Sequence, residues 1–136
     1  MGRDRVRART AFEPIVGYSR AVRDGRHIFV AGTGPTMPDG GEPPADAYGQ
    51  AKRSFEIVLE ALQELGASAE HVVRTRAYLT RAEDWEEVGR AHGEAFGSAM
   101  PATAFVVVAA LLDPRWLVEV EADAMLPEQD SAPPAS

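Results

Sequence analysis

The side chains best placed to do chemistry are three carboxylates spaced two apart, Glu119, Glu121 and Asp123, in the alternating segment Leu117 to Leu126. A strand sends successive side chains to opposite faces, so these three share one face and Val118, Val120, Ala122 and Ala124 share the other. Two readings follow. Either the carboxylates make an ordinary solvated face, or one of them points into a cleft, where desolvation raises its pKa and suits it to general acid–base work on a bound water. The three histidines, His27, His71 and His92, are scattered without ligand spacing, and no metal is expected. His92 shares a helical stripe with Trp85, Val88 and Phe96, as a packed, hydrogen-bonded core residue or as a pocket group. Arg76 and Arg115 are the nearest candidates for a bidentate hold on an anion, against the commoner role of surface ion-pair partner. Cysteine is absent, which excludes disulfides, thiolate metal sites and thiol nucleophiles. GxSxG, P-loop, GxGxxG and HExxH signatures are absent too.

The elements that must position these groups are legible from spacing. Tyr18 to Gly32 reads as a hairpin about Asp24-Gly25, a strong tight-turn dipeptide. Gly34 to Pro44 holds four prolines and three glycines and reads as a surface loop. Ala45 to Leu65 is an amphipathic helix with Ala47, Ala51, Phe55, Val58, Leu59, Leu62 and Leu65 on one face, Asp46 as its cap and Gly66 at its end. His71 to Thr80 is a strand, with Arg74, Arg76 and Tyr78 opposite Val73, Thr75, Ala77 and Leu79. Glu83 to Phe96 resumes helical spacing, weakened by Gly89 and Gly93. Phe105 to Leu112 is nearly all apolar and reads as a strand buried on both faces, separated by the Asp113-Pro114 turn from the carboxylate strand. The resulting order is β-β-α-β-α-β-β, an α+β fold in which two helices cover one face of a mixed sheet.

The chain has 136 residues, 45% of them hydrophobic, which suits one domain with one core. Residues 1–13 form an N-terminal segment, 14–126 the domain, and 127–136 a disordered tail of Pro, Ser, Ala and acids. The alternating Arg3, Arg5, Arg7 and Arg9 read as a solvated terminus. With 14 basic against 21 acidic side chains the net charge is -7, so no nucleic-acid partner is expected. No apolar run reaches the roughly 20 residues that span a bilayer, and no secretory h-region opens the chain; no membrane partner and a cytoplasmic location are the expectations.

Several blocks in order carry a resemblance over residues 14–126: Gly17-Tyr18-Ser19-Arg20-Ala21-Val22, Val30-Ala31-Gly32-Thr33-Gly34-Pro35, Gln50-Ala51 through Gly66-Ala67-Ser68, Val72-Val73-Arg74-Thr75, Phe96-Gly97, Met100-Pro101-Ala102-Thr103 and Val118-Glu119-Val120-Glu121-Ala122. In these the chain resembles the Rid (YjgF, reactive-intermediate deaminase) family. The resemblance implies a chorismate-mutase-like fold, a homotrimeric barrel with helices outside, and a small-molecule cleft between subunits. It implies hydrolysis of enamine/imine intermediates to a 2-keto acid and ammonia, without metal or cofactor.

Carried over by position, Glu119 matches the glutamate that handles the attacking water. Gly17, Tyr18, Ala31, Gly32, Gly89 and Thr103 match substrate-binding positions. Four of these depart from the deaminating pattern: Pro is absent after Gly17, Ala31 replaces a serine, Gly89 an asparagine, and Thr103 the arginine that clamps the substrate carboxylate. Thr33 stands where glutamine is expected. A less polar cleft of this kind suits a larger, more apolar or uncharged ligand. The resemblance leaves an enzyme and a non-catalytic, metabolite-binding or partner-docking trimer as alternatives. Some family members are reported as RNA-cleaving or translation-inhibiting proteins, and the acidic charge here argues against polyanion binding.

Overall fold

The computed structural model describes residues 2–128. Four residues, Asp4–Arg7, form strand β1, and a short helix α1 follows at Glu13–Val16. Then come β2 (Ser19–Asp24), β3 (His27–Thr33), α2 (Ala47–Glu64), β4 (Val72–Leu79), α3 (Trp85–Phe96), β5 (Ala102–Val107) and β6 (Val118–Met125). The six strands make one sheet in the order β1-β2-β3-β6-β4-β5. All neighbours are antiparallel except β4 and β5, which are parallel and joined through α3. The mixed α+β architecture expected from the spacing is therefore present.

Local chemistry accounts for the elements. The hairpin turns at Gly25-Arg26, since Asp24 still pairs with His27, and Gly25 supplies a φ of +62°. Helix α2 starts at Asp46, whose carboxylate accepts the Gly49 N–H at 2.9 Å, and ends before Gly66 at φ +87°. Its apolar stripe, Ala47, Ala51, Phe55, Val58 and Leu62, packs with Val88, Ala91 and Phe96 of α3 against the face carrying Ile28, Val30, Val118, Val120, Ala122 and Ala124. Phe55 and Phe96 meet edge to face at 5.2 Å. No helix among the described residues is long and apolar enough to cross a membrane.

Four expectations need correction. The arginine-rich terminus is not simply a solvated tail, because β1 pairs with β2 and extends the sheet. Glu13 holds its elbow, accepting from the Arg7 guanidinium and from the Ala8 and Arg9 N–H groups; these bonds, that from Arg7 first, draw its carboxyl down to about 2. The apolar run after Thr103 forms a strand only over Ala102–Val107, and Val106 and Val107 are exposed rather than buried, because β5 is an edge strand with β4 as its one neighbour. Val73 is exposed in place of Val72, since a bulge in β4 between Val72 and Arg74 rotates it out of the core. Trp85, the first residue of α3, is exposed and not part of the buried stripe. The expected tail at 127–136 lies, beyond Glu128, outside the described residues.

Candidate functional site

The carboxylate face of β6 is not uniform. Glu121 is tied down, accepting from Tyr78 Oη at 2.6 Å and Arg76 Nη1 at 3.2 Å. Glu119 has no hydrogen-bonding side chain or backbone partner among the described residues and is half-buried. Burial pushes its carboxyl above the usual range, Arg20 opposes that rise, and Glu121 adds to it. Asp123 is also pushed up, mainly by burial.

Glu119 opens on a cavity of 190 Å³ walled by Thr10, Phe12, Val16, Tyr18, Arg20, Ala31, Gly32, Gly34, Thr36, Leu112 and Trp116. Two irregularities of the sheet build it. In β3 the register skips Ala31 and Gly32 between the pairs Val30–Ala122 and Thr33–Val120, a bulge that re-aims the backbone beside Glu119. In β2 the register skips Arg20 between Val6–Ala21 and Arg7–Ser19. Two glycines leave room for neighbours. A Cβ on Gly32 would lie 2.5 Å from Glu119 Oε2, and one on Gly34 would lie 2.5 Å from the Trp116 ring. Gly17, at φ +77°, turns the chain out of α1 so that Tyr18 enters the wall, where its hydroxyl meets Thr10 Oγ1 at 2.6 Å.

Trp116 is held from the helix side by Gln50, itself buried. Gln50 Nε2 donates to Pro44 O and Arg115 O, and its Oε1 accepts the Leu117 N–H at 2.7 Å. The loop carrying Trp116 is thus fixed on both sides of that residue.

Of the residues expected from the resemblance, Glu119, Tyr18, Ala31 and Gly32 converge on this cavity, and Gly17 adjoins it. Gly89 and Thr103 do not reach it within one chain. Gly89 lies in α3 beside Phe105, and Thr103 lies on edge strand β5. Thr75 Oγ1 donates to Thr103 Oγ1 at 2.7 Å and stands 2.7 Å from His92 Nε2, so His92 donates in that pair. His92 is packed among Phe55, Phe96 and Phe105, and burial lowers its pKa; the packed reading holds.

Arg115 is engaged by Asp113 and Glu42, and Arg76 by Glu121, so neither lines the cavity. Sequence reasoning missed Arg20, Phe12 and Trp116. A lone tryptophan in the polar turn Asp113-Pro114-Arg115-Trp116 was the available signal, since a loop seldom carries a large aromatic without something to cover.

A larger groove of 1190 Å³ runs between β1 and α2, where Arg5, Arg7, Arg9 and Arg23 face Glu60 and Glu64. Its mixed charge sets it apart from the smaller, mostly apolar cavity at Glu119, with which it shares Arg20. Among the described residues no cluster of three or more His, Asp or Glu side chains is placed to share a metal ion.

The family model described as "Endoribonuclease L-PSP" matches residues 8–126. The chain belongs to this family, the YjgF/Rid family. An "uncharacterized protein" of Streptomyces coelicolor is 39% identical over 127 residues, 93% of this chain and 95% of its own length. A RutC family protein of Pyrococcus abyssi is 36% identical over 124 residues, 90% of this chain and 96% of its own. Among solved structures, Rv2704 of Mycobacterium tuberculosis, of the YjgF/YER057c/UK114 family, matches with a TM-score of 0.84 at 42% identity, over 92% of this chain and 100% of its own. Escherichia coli TdcF with bound serine matches at TM-score 0.75 and 27% identity, over 81% of this chain and 88% of its own. The six-stranded sheet and its helices are thus the Rid-family arrangement.

Proposed function

We propose that this Rid-family chain acts on a small reactive metabolite in the Glu119 cavity, hydrolysing an enamine or imine to a carbonyl compound and ammonia. The observation that carries the reading is Glu119 itself, a half-buried carboxyl, unpartnered among the described residues and raised by desolvation, at the wall of a small apolar cavity. A carboxyl so placed serves as both base and acid. As water oxygen bonds to the C=N carbon, a water proton passes to Glu119. That proton passes on to nitrogen, giving a carbinolamine; its hydroxyl proton then moves by way of Glu119 to the same nitrogen as the C–N bond breaks, so ammonia leaves and the carbonyl remains. No residue in this scheme requires a metal or cofactor.

The same reading includes a homotrimer. Its support is the resemblance, together with exposed apolar side chains on the open sheet face and the β5 edge, Phe29, Val73, Val106 and Val107. Gly89 and Thr103, remote from their own chain's cavity, would reach a neighbour's. TdcF, with serine bound, supports a ligand of amino-acid size. Thr103 cannot supply a fork-shaped cation, so turnover of 2-aminoacrylate or 2-iminobutanoate requires another cation to hold the carboxylate. Sedimentation at micromolar concentration tests the assembly, and a strictly monomeric mass refutes it.

The test of catalysis compares Glu119→Gln with Glu121→Gln on an imine substrate supplied by a generating enzyme. Glu119→Gln should lower the rate by about 10²–10⁴-fold and leave folding intact, whereas Glu121→Gln should have a small effect. Equal, small effects would favour the second reading, a trimer that binds a metabolite without turning it over. That reading is supported by Thr103, a neutral hydroxyl that accepts from Thr75 Oγ1 where the deaminating pattern has an arginine.

A further inference from the structure

Arg20 is the charged side chain of the cavity that the scheme above leaves unused. It is 6% exposed, and Nη1 donates to Gly32 O at 2.7 Å and to Thr33 Oγ1 at 2.9 Å. A guanidinium has five N–H donors, so those on Nε and Nη2 remain, and they have no partner among the described residues. Its carbon stands 5.7 Å from the Tyr18 ring centroid. Among the described residues no carboxylate oxygen lies within 4.0 Å of its nitrogens; Arg5, Arg9, Arg23, Arg74 and Arg90 also lack such a pair, but of these six Arg20 alone is buried.

Burying a permanent charge is costly unless charge and hydrogen bonds are both satisfied, and here the Glu119 carboxyl acts on Arg20 from the same cavity without a hydrogen bond between them. Arginine cannot escape that cost by losing its proton. The bulge in β2 places this residue at the wall of this cavity, where it also borders the larger β1–α2 groove, and its Nη1 bonds to β3 fix the guanidinium there with its Nε and Nη2 donors free of partners among the described residues.

We propose that Arg20 is the anion anchor of the Glu119 cavity, and that the ligand is a small monocarboxylate with an apolar side chain. This rests on the reading of that cavity as the ligand site. The cavity volume of 190 Å³ is below the range for drug-sized ligands, and Phe12, Val16, Leu112 and Trp116 present apolar walls. A carboxylate at Arg20 leaves the other polar end, an N–H group or a water, toward Glu119, so the ligand's anion meets the cation and its donor meets the carboxyl acceptor. The clamp missing at Thr103 is then supplied by a different strand and from within one chain.

The experiment is equilibrium binding to the whole protein, followed by Trp116 fluorescence and by the backbone amides of Gly32 and Gly34 in nitrogen-15 spectra. Isovalerate and isovaleramide are the probes, alike in size and shape and different in charge. Isovalerate should bind the parent protein about tenfold or more tightly than the amide, the size of effect of a charge-assisted contact. Arg20→Gln should abolish that preference and leave amide binding unchanged, and Arg20→Lys should restore part of it. The comparison of acid with amide on the parent protein stands even where Arg20→Gln fails to fold. Equal binding of the two probes by the parent, or a preference that survives Arg20→Gln, overturns the role of Arg20 while keeping the cavity as a ligand site. If neither probe perturbs Trp116 or the two glycine amides, the cavity itself is not the ligand site, and both readings fall.

Discussion

Gly34→Ala tests the packing that shapes the cavity. A Cβ added there would meet Trp116 Cζ3 at 2.5 Å and Cε3 and Cη2 at 2.6 Å, all three on one rigid ring. Ordinary carbon contacts fall at about 3.5–4.0 Å, so the ring must retreat by about 1 Å. It has little freedom to do so, because Gln50 holds the backbone on either side through Arg115 O and the Leu117 N–H. Gly34 is not at positive φ, so the clash is the whole perturbation. Overpacking of this kind costs about 1–3 kcal/mol. For a domain of this length that is a fall in Tm of roughly 3–10 °C. The assay is thermal unfolding at fixed protein concentration, with Trp116 emission read in a Trp85→Phe background, Trp85 being 57% exposed. Trp116→Leu should cancel most of the loss in a double-mutant cycle. An unchanged Tm for Gly34→Ala, or a loss that persists in the Trp116→Leu background, would refute the account of how the cavity is built.

Gly32→Ala should behave differently, because the colliding atom, Glu119 Oε2, ends a flexible side chain. Stability should change by less than about 1 kcal/mol while the carboxyl is displaced, seen as a moved Glu119 titration in carbon-13 spectra. Gln50→Leu leaves two carbonyls and one N–H without their partner, and should cost about 3 kcal/mol or more in urea unfolding and shift Trp116 emission. Glu119 gives a signed pH dependence. Its folded pKa is raised, so the native state holds the proton more tightly than the unfolded chain, and stability is full below the ordinary carboxylate range and falls as pH rises above it. Glu119→Gln should remove that part of the decline and be more stable than the parent at pH 7, with a residual slope from Asp123; a variant less stable at pH 7 would contradict the burial argument.

Periodicity by itself determined the sheet–helix architecture, because burial on one face leaves a period of two or of about 3.6 in the chain. Ala47 to Leu62 of α2 and Val118 to Ala124 of β6 are where that pattern is cleanest. Local signals at Asp46, Gly66 and Gly25 were equally legible, since a cap or a positive φ needs only neighbours in sequence. The resemblance located Glu119, Tyr18, Ala31 and Gly32, which do come together. Burial of a strand by its partners is a different matter. Charged alternation hid β1, whose order depends on pairing with β2 and on Glu13, and an apolar run suggested a buried strand where β5 is an edge. Only tertiary structure decided which of three equivalent carboxylates is tied down and which opens on a cavity, because Tyr78 and Arg76 reach Glu121 from the adjacent strand and the cavity wall forms at Glu119. Only it brought Arg20 and Trp116 to the same cavity, through two register irregularities and a glutamine 65 or more residues away in sequence, none of which leaves a periodic trace in the chain.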